Sequence, residues 1–245
     1  MIKRELLNKF LNNNIIQSIL FSPLIDYHQW SLLKFIKDNA KKIKRDEKII
    51  DIGAGELKYK KYFEHCVYKS QALCVGDDKW DFSKIDIRSS LYEIPEKDAS
   101  FDYVLCAQVL EHLEFPEKAF SEFNRLLKNR GKLILTAPLG FGEHQIPYDF
   151  FRYIQYGLKS LDERYGFKLT YIKPQGGIFI NVEYILWQSI NVILPFKNIV
   201  LVRYFYFLVF IPIKILSGII FIVLDLFDRK KAYTLNYNCI YEKII

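Results

Sequence analysis

Apolar and polar positions follow different periods along this chain, and the changes of period mark its parts. Residues 2–11 place Ile2, Leu6, Leu7, Phe10 and Leu11 at helical spacing with Lys3, Arg4 and Lys9 between them, which predicts an amphipathic helix. A second helix is expected over 29–42, with Trp30, Leu33, Phe35 and Ile36 as its apolar content. The charged stretch 41–48 reads as a solvated connection. From Ile49 the pattern turns to short apolar runs, predicting strands at 49–52, 71–76, 103–107 and 132–137. A helix is predicted over 116–128: Pro116 suits its first turn, and Ala119, Phe120, Phe123, Leu126 and Leu127 form one apolar face. Gly131 is expected just past its end as the left-handed C-terminal residue. Strands that are apolar throughout and alternate with helices indicate a parallel sheet covered on both faces.

Beyond Gly140 a Tyr- and Phe-rich loop leads to a predicted helix at 158–164, ended by Gly166, and to a strand at 168–172. Residues 178–227 are dominated by Ile, Leu, Val and Phe, and 233–240 alternates like a last strand. The chain carries no internal repeat.

Composition narrows the class. The 245 residues suit one α/β domain with an addition rather than two full domains. A 51% hydrophobic share excludes a disordered chain, and 11 Gly with 8 Pro exclude a fibrous or low-complexity one. The cysteines at 66, 74, 106 and 239 form no CxxC pair, which points to a reducing, cytoplasmic setting. The start lacks an uninterrupted apolar core and a small-residue cleavage site, so no secretory leader is expected there. Lys plus Arg number 35 against 28 Asp plus Glu, a formal charge of +7, which by itself suits nucleic acid, an anionic membrane or neither.

The first candidate chemistry sits at the end of the first expected strand. Asp51-Ile52-Gly53-Ala54-Gly55 is a turn in which backbone N–H groups approach a ligand closely. A dinucleotide fingerprint wants a third glycine at the place of Lys58, which weakens a pyrophosphate reading. A carboxylate just before the glycines suits instead a nucleoside with an amino-acid tail. Asp77 and Asp78 lie at the end of the second expected strand, where an acid accepts from the ribose diol. Taken alone, the two glycines are also compatible with a plain tight turn.

With these residues the chain resembles the class I S-adenosylmethionine-dependent methyltransferases with a type 11-like methyltransferase domain. The resemblance runs in order over 49–138: the segment ending in Gly53-Ala54-Gly55; Cys74-Val75-Gly76-Asp77-Asp78; Ser100-Phe101-Asp102-Tyr103; Ala107-Gln108-Val109-Leu110-Glu111-His112-Leu113; and Arg130-Gly131 through Pro138. It implies an α/β fold, a Rossmann-like seven-stranded, mostly parallel sheet with helices on both faces and an antiparallel last strand. It implies S-adenosylmethionine as cofactor, held by Asp51, Gly53, Gly55, Asp77, Asp78, Ser90, Ala107 and Gln108. Two positions depart from the pattern: Leu57 stands where a third glycine is frequent, and Ser90 where an acid often meets the adenine, with Asp86 four residues earlier. A further segment, Gly142-Glu143-His144 through Arg152-Tyr153, is similar to one subgroup associated with bacterial surface sugars.

Methyl transfer from a sulfonium needs positioning above all, and an alcohol acceptor also benefits from a base. His144 and Glu143, after the fifth strand, are the candidate base, with a loop-ordering His144 as the alternative. Tyr148, Arg152, Tyr153 and His112 are candidate acceptor contacts; an Asp149 ion pair is the alternative for Arg152, and helix capping or packing for His112. No Pro-Pro-aromatic segment follows the fourth strand, so methylation of nucleic-acid bases is not expected and nucleic acid is not the expected partner. No His, Cys and carboxylate spacing recommends a metal site.

The division expected is N-terminal helices at 1–48, a cofactor-binding core at 49–177, a hydrophobic helical insertion at 178–230 and a last strand at 231–245. Residues 204–213 and 215–224 are apolar runs split by Lys214, together long enough to span a bilayer. Lys214 at the centre of a span would cost roughly 2.5–3.5 kcal/mol, offset by apolar neighbours at roughly 0.3–0.6 each. Strands six and seven must share one sheet, however, so the insertion crosses an even number of times or not at all. Asn181, Glu183, Gln188 and Asn191 make 178–196 a poor second span. Helices lying in the interface on the inner membrane face, flanked by Lys197, Arg203 and Arg229-Lys230-Lys231, are therefore expected. A helical cap or a homodimer interface would bury the same surface. The function expected is methyl transfer to a small or lipid-linked acceptor such as a surface sugar. The alternative is a non-catalytic, membrane-associated binding module that keeps the fold.

Overall fold

The computed structural model describes residues 22–74, 81–193 and 200–245. The helix expected at 2–11 lies outside them. The chain divides into two compact units: residues 34–174 with 236–245, and residues 1–33 with 175–235.

The first unit is built on a seven-stranded sheet: β1 (Lys48–Ile52), β2 (Val67–Ala72), β3 (Ile87–Arg88), β4 (Phe101–Ala107), β5 (Leu127–Pro138), β6 (Phe167–Pro174) and β7 (Asn236–Lys243). The spatial order is β3-β2-β1-β4-β5-β7-β6. Strands β1 to β5 run parallel, and β7 is antiparallel to both its neighbours. This is the Rossmann-like α/β architecture with an antiparallel last strand. Ile49, Ile50 and Ile52 are fully buried, as a central strand covered on both faces requires. A helix at Pro116–Leu126 follows the expected stripe, with Ala119, Phe120, Phe123 and Leu126 fully buried. The Phe120 ring meets Tyr241 of β7 edge-on at 5.4 Å between centroids and Phe167 of β6 at 5.9 Å.

Several expected boundaries move, each for a local reason. Strand β2 occupies 67–72 rather than 71–76, and apolar counting misses it because Ser70 and Gln71 are polar and buried. Their cost is met by hydrogen bonds: Asp86 accepts from the Ser70 N–H at 2.8 Å and hydroxyl at 2.6 Å, and Gln71 Nε2 donates to the Ser89 carbonyl at 2.7 Å. The short β3 carries too few residues for any period to register. The 116–128 helix ends at Leu126, after which Leu127 is already extended. The left-handed residue there is Arg130 (φ 61°), not Gly131. Glycine is required at 131 because a Cβ would lie 2.8 Å from the Lys128 carbonyl oxygen. The helix expected at 158–164 is one turn at Gln155–Lys159 followed by a 3-10 turn at Glu163–Tyr165, and Gly166 closes it at φ 74° as expected. The last strand begins three residues later than its alternation suggests, with Tyr233 left exposed.

In the second unit two helices, Ile178–Ile193 and Val200–Asp225, replace the hairpin turn that neighbouring strands need. The first is capped from a distance: the buried Asp225 carboxylate accepts from the Gly177 N–H at 3.0 Å, and Asp228 accepts from the Ile178 N–H at 2.8 Å. Trp187 Nε1 donates to the Ser217 hydroxyl at 3.0 Å, and the Lys214 ammonium lies 4.9 Å from the centre of the Trp187 ring. Lys214 is thus accommodated by an aromatic face of its own unit. Among the described residues no helix is long and apolar enough to cross a membrane. Ile213, Leu216, Ile220, Val223 and Phe227, spaced three and four apart, are all exposed.

Candidate functional site

The carboxyl edge of the sheet gathers the strand-end turns of β1, β4 and β5. At the end of β1 the chain turns through Gly53 (φ 68°) and Gly55 (φ 52°). The Gly53 N–H donates to Gln71 Oε1 at 3.3 Å and the Ala54 N–H to the Gln71 carbonyl at 3.0 Å, so the buried Gln71 fixes the turn to β2. Leu57, at the place of the family's third glycine, adopts φ 60° and takes up the glycine-like backbone with a side chain attached.

Asp51 precedes this turn with 1% of its surface exposed. The Tyr68 hydroxyl donates to its Oδ2 at 2.8 Å. Burial raises the Asp51 carboxyl to about 7, against the pull of that hydrogen bond. Among the described residues this carboxyl has one neutral donor and no cation, which is what an amino-acid ammonium would bring.

Strand β4 ends at Ala107, and Gln108 follows at φ 58°, a strained conformation for a side-chain-bearing residue. Its N–H donates to the Thr136 carbonyl at 3.1 Å, and its Nε2 to Thr136 Oγ1 at 3.0 Å and Asn236 Oδ1 at 2.8 Å. The Gln108 side chain therefore ties β5 to β7, and only its backbone faces the turn. Ser90 is exposed, its hydroxyl accepting from the Tyr92 N–H at 3.2 Å. Asp86 is occupied by Ser70. Asp77 and Asp78 lie outside the described residues.

The loop after β5 meets the 3-10 turn Leu110–His112 that follows β4. The Glu111 carbonyl accepts from the N–H groups of Phe150 at 2.9 Å and Phe151 at 3.2 Å. The Glu111 side chain is fully buried, and neither carboxylate oxygen has a hydrogen-bond partner. Burial pushes its carboxyl up to about 8, moderated by a backbone hydrogen bond and by the charge of Arg152. The His112 ring sits beside it, with Nε2 buried, unpartnered and 3.8 Å from Glu111 Oε1. Its other nitrogen, Nδ1, is 2.5 Å from the Tyr148 carbonyl, which assigns the proton to Nδ1. Burial lowers the His112 pKa, so the ring is neutral at pH 7.

His144 stands edge-on to His112, ring centroids 4.8 Å apart. Its N–H donates to Asp149 at 2.8 Å, and its Nδ1 lies 3.1 Å from the Gly142 carbonyl. Arg152 grips Asp149 with two bonds of 2.6 Å and donates to the carbonyls of Phe141 at 3.0 Å, Gly142 at 2.8 Å and Phe151 at 2.8 Å. This holds the Asp149 carboxyl far below the usual range. Of the residues read as acceptor contacts, Arg152 is thus spent within its own loop, as its alternative role required. Tyr153 is buried with its hydroxyl on the Leu110 carbonyl at 3.4 Å, and Tyr148 contributes its carbonyl while its ring is exposed. Glu143 is exposed and acts on the cluster through attraction to Arg152. Sequence reading misses Glu111 as a site residue although it stands beside His112 in the segment after β4: the third member of the cluster, His144, comes from a loop more than thirty residues further along the chain.

The methyltransferase-domain family model matches residues 50–135, from β1 through β5. Residues 50–135 form a methyltransferase domain. The first unit around them has the fold of the class I methyltransferases, and a methyltransferase domain implies S-adenosylmethionine as cofactor. The fold of a putative sarcosine dimethylglycine methyltransferase from Galdieria sulphuraria is similar, with TM-score 0.57, 15% identity, and 90% of this chain and 88% of that one covered. So is that of a Burkholderia thailandensis 1,6-didemethyltoxoflavin-N1-methyltransferase with bound S-adenosylhomocysteine, with TM-score 0.53, 13% identity, and 94% and 89% covered. An uncharacterized protein of Methanocaldococcus jannaschii is 49% identical over 50 residues, 20% of this chain and 22% of that protein's length. A left-handed glycine turn beside a buried carboxylate is an arrangement that could receive the cofactor's amino-acid end. Asp51 and the backbone of Gly53, Gly55 and Gln108 are the described residues that would hold it.

Proposed function

We propose that this protein transfers the S-adenosylmethionine methyl group to a small or lipid-linked acceptor brought to it at an anionic membrane surface. The observation that carries the cofactor reading is Asp51, buried beside the glycine turn and without a cation among the described residues. The bound cofactor supplies an activated methyl on a sulfonium. The chain's own part is to fix the ammonium at Asp51 and to present the acceptor on the carboxyl edge, near His112 and His144. Positioning of this kind is worth up to roughly 7–11 kcal/mol.

Binding is expected to depend on pH with a definite sign. Free Asp51 ionises near 7, so below that pH the incoming ammonium must displace a proton. Calorimetric affinity for S-adenosylmethionine should rise about tenfold per pH unit from 5 to 7 and then level. In Asp51→Asn the affinity should be weaker and that rise absent. A parent protein that binds no cofactor, or an Asp51→Asn variant with the parent's profile, would falsify the reading.

The acceptor's location is inferred from the second unit. Its exposed stripe Ile213, Leu216, Ile220, Val223 and Phe227 is followed directly by the exposed cations Arg229 and Lys230. Apolar side chains next to cations suit an interface rich in anionic lipid. The protein should sediment with phosphatidylglycerol vesicles and far less with neutral phosphatidylcholine ones. Leu216→Ser/Ile220→Ser should weaken this at least tenfold. A stable dimer that ignores both vesicle types would assign the stripe to self-association instead.

A further inference from the structure

Glu111, His112 and His144 offer three ligand atoms that all lie within 4.8 Å of one another. We infer that these residues form a binding site for a divalent cation of the zinc class, set beside the cofactor turn of the methyltransferase core.

Glu111 is unsatisfied where it stands. Its carboxyl has no surface exposure and no hydrogen-bond partner for either oxygen. Native structures satisfy buried polar groups, and a cation that displaces the carboxyl proton would supply the missing partner. Arg152, the guanidinium of this loop, is engaged by Asp149, three carbonyls and His144 Nδ1, and makes no hydrogen bond to Glu111.

The outer contacts of the two imidazoles fit the same site. A ligating histidine characteristically donates its other N–H to a carbonyl or carboxylate, which fixes the ring and leaves one lone pair for the metal. His112 does this with the Tyr148 carbonyl, leaving the buried, unpartnered Nε2 toward Glu111. The Nδ1 of His144 lies 3.1 Å from the Gly142 carbonyl, 3.4 Å from the Asp149 carboxylate and 3.3 Å from Arg152 Nη2; with its proton directed to the carbonyl and carboxylate, Nε2 is left for a metal. The loop therefore supplies the outer contacts that such a site uses, from residues otherwise hard to explain. His144 becomes a ligand in this arrangement rather than a free base.

The donor set selects the class of metal. Two imidazoles and one carboxylate suit zinc and its first-row neighbours, whereas magnesium and calcium prefer oxygen throughout. Bonds of about 2.0–2.2 Å call for ligand atoms somewhat closer than 4.8 Å, a contraction of the kind side-chain rotation provides. Three protein ligands leave at least one coordination position for water or for an oxygen of a bound molecule. The position in the chain is telling: a Cβ on Gly53 would lie 2.5 Å from Val109 Cγ2, and Glu111 follows two residues later. If the methyl-transfer reading holds, the metal would orient an acceptor oxygen. Metal binding itself does not depend on that reading.

The test is titration of the chelator-treated full chain with Zn2+, followed by calorimetry and by thermal unfolding, without cofactor. One Zn2+ per chain with a raised Tm is expected, and Mg2+ at the same concentration should leave the Tm in place. Co2+ should give ligand-field absorption bands that Zn2+ abolishes. His144→Ala and Glu111→Gln should each weaken zinc binding at least tenfold. His144→Ala keeps the backbone bond to Asp149, so its fold should survive; circular dichroism checks this, and His112→Asn serves as a second variant. No stoichiometric zinc binding by the folded parent would overturn the site. So would parent-like binding in the folded variants, and so would Mg2+ binding as tightly as Zn2+. Loss of metal binding with intact cofactor binding would separate this site from the cofactor turn.

Discussion

Gly53→Ala is expected to destabilise the methyltransferase core by about 2–4 kcal/mol and to abolish S-adenosylmethionine binding at accessible concentrations. Two costs add. The left-handed backbone at φ 68° costs an alanine about 1–2 kcal/mol relative to glycine. The new methyl also enters the space of Val109, with approaches of 2.5, 2.9 and 3.3 Å to Cγ2, Cγ1 and Cβ. Forcing it in costs typically about 1–3 kcal/mol. Either half of the strain can be relieved by moving the turn, and movement breaks the Gly53 and Ala54 bonds to Gln71 and, on the proposed reading, the shape that receives the cofactor. The separation of the two costs is measurable. Val109→Ala deletes the two closest partners, so in that background Gly53→Ala should retain only the backbone cost. A denaturant double-mutant cycle should then give a coupling of at least about 1 kcal/mol. Strict additivity would mean that Val109 does not set the glycine requirement.

Arg152→Met should be the most damaging substitution in the loop after β5. Asp149 keeps only 3% of its side chain exposed and depends on the two 2.6 Å bonds from Arg152. Removing one partner of such a pair typically costs about 3–5 kcal/mol, because the other charge stays buried and unpaired. The carbonyls of Phe141, Gly142 and Phe151 lose donors at the same time. The loop can escape part of this cost by opening locally. The expected signature is therefore a large rise in amide exchange over 141–154 with a smaller fall in global stability. Arg152→Lys should not restore protection, since a single ammonium cannot reproduce a planar fork that holds both Asp149 oxygens, three carbonyls and His144 Nδ1. Asp149→Leu in the Arg152→Met background should recover much of the stability, as neutral replacement of both partners does elsewhere. Unchanged exchange over 141–154 in Arg152→Met would show that the loop is held by other means.

How much of the molecule is legible in its sequence depends on how local each signal is. The parallel sheet is legible because apolar runs such as Ile49-Ile50 and the punctuation by Gly53 and Gly166 act within a few residues. The antiparallel last strand comes from the family resemblance over 49–138. Strand β2 is displaced from its expected place because its buried Ser70 and Gln71 are satisfied by Asp86 and Ser89, partners that composition cannot announce. The candidate site divides the same way. Asp51 and its glycines lie in one segment and are legible together. Glu111 and His112 meet His144 only after the loop from β5 folds back and places the Phe150 and Phe151 N–H groups on the Glu111 carbonyl. Arg152 has two readings in the sequence, and the structure places it on Asp149, three residues away.

The register between β6 and β7 has a bearing on how this chain was assembled and how it can be edited. Pro174 is paired with Tyr237 and Lys173 with Asn238, so the chain leaves the sheet and re-enters it at adjacent rungs. Seen from the methyltransferase core, residues 175–235 are the contents of a hairpin whose two ends are already held side by side. Loop-closure entropy grows only logarithmically with length, so such a point accepts a turn of about two residues or a module of about sixty with a difference of roughly 3 kcal/mol. The same ladder can therefore be shared by proteins with unrelated attachments there. An acceptor preference carried by the attachment could then be exchanged without redesigning the strands that hold the cofactor.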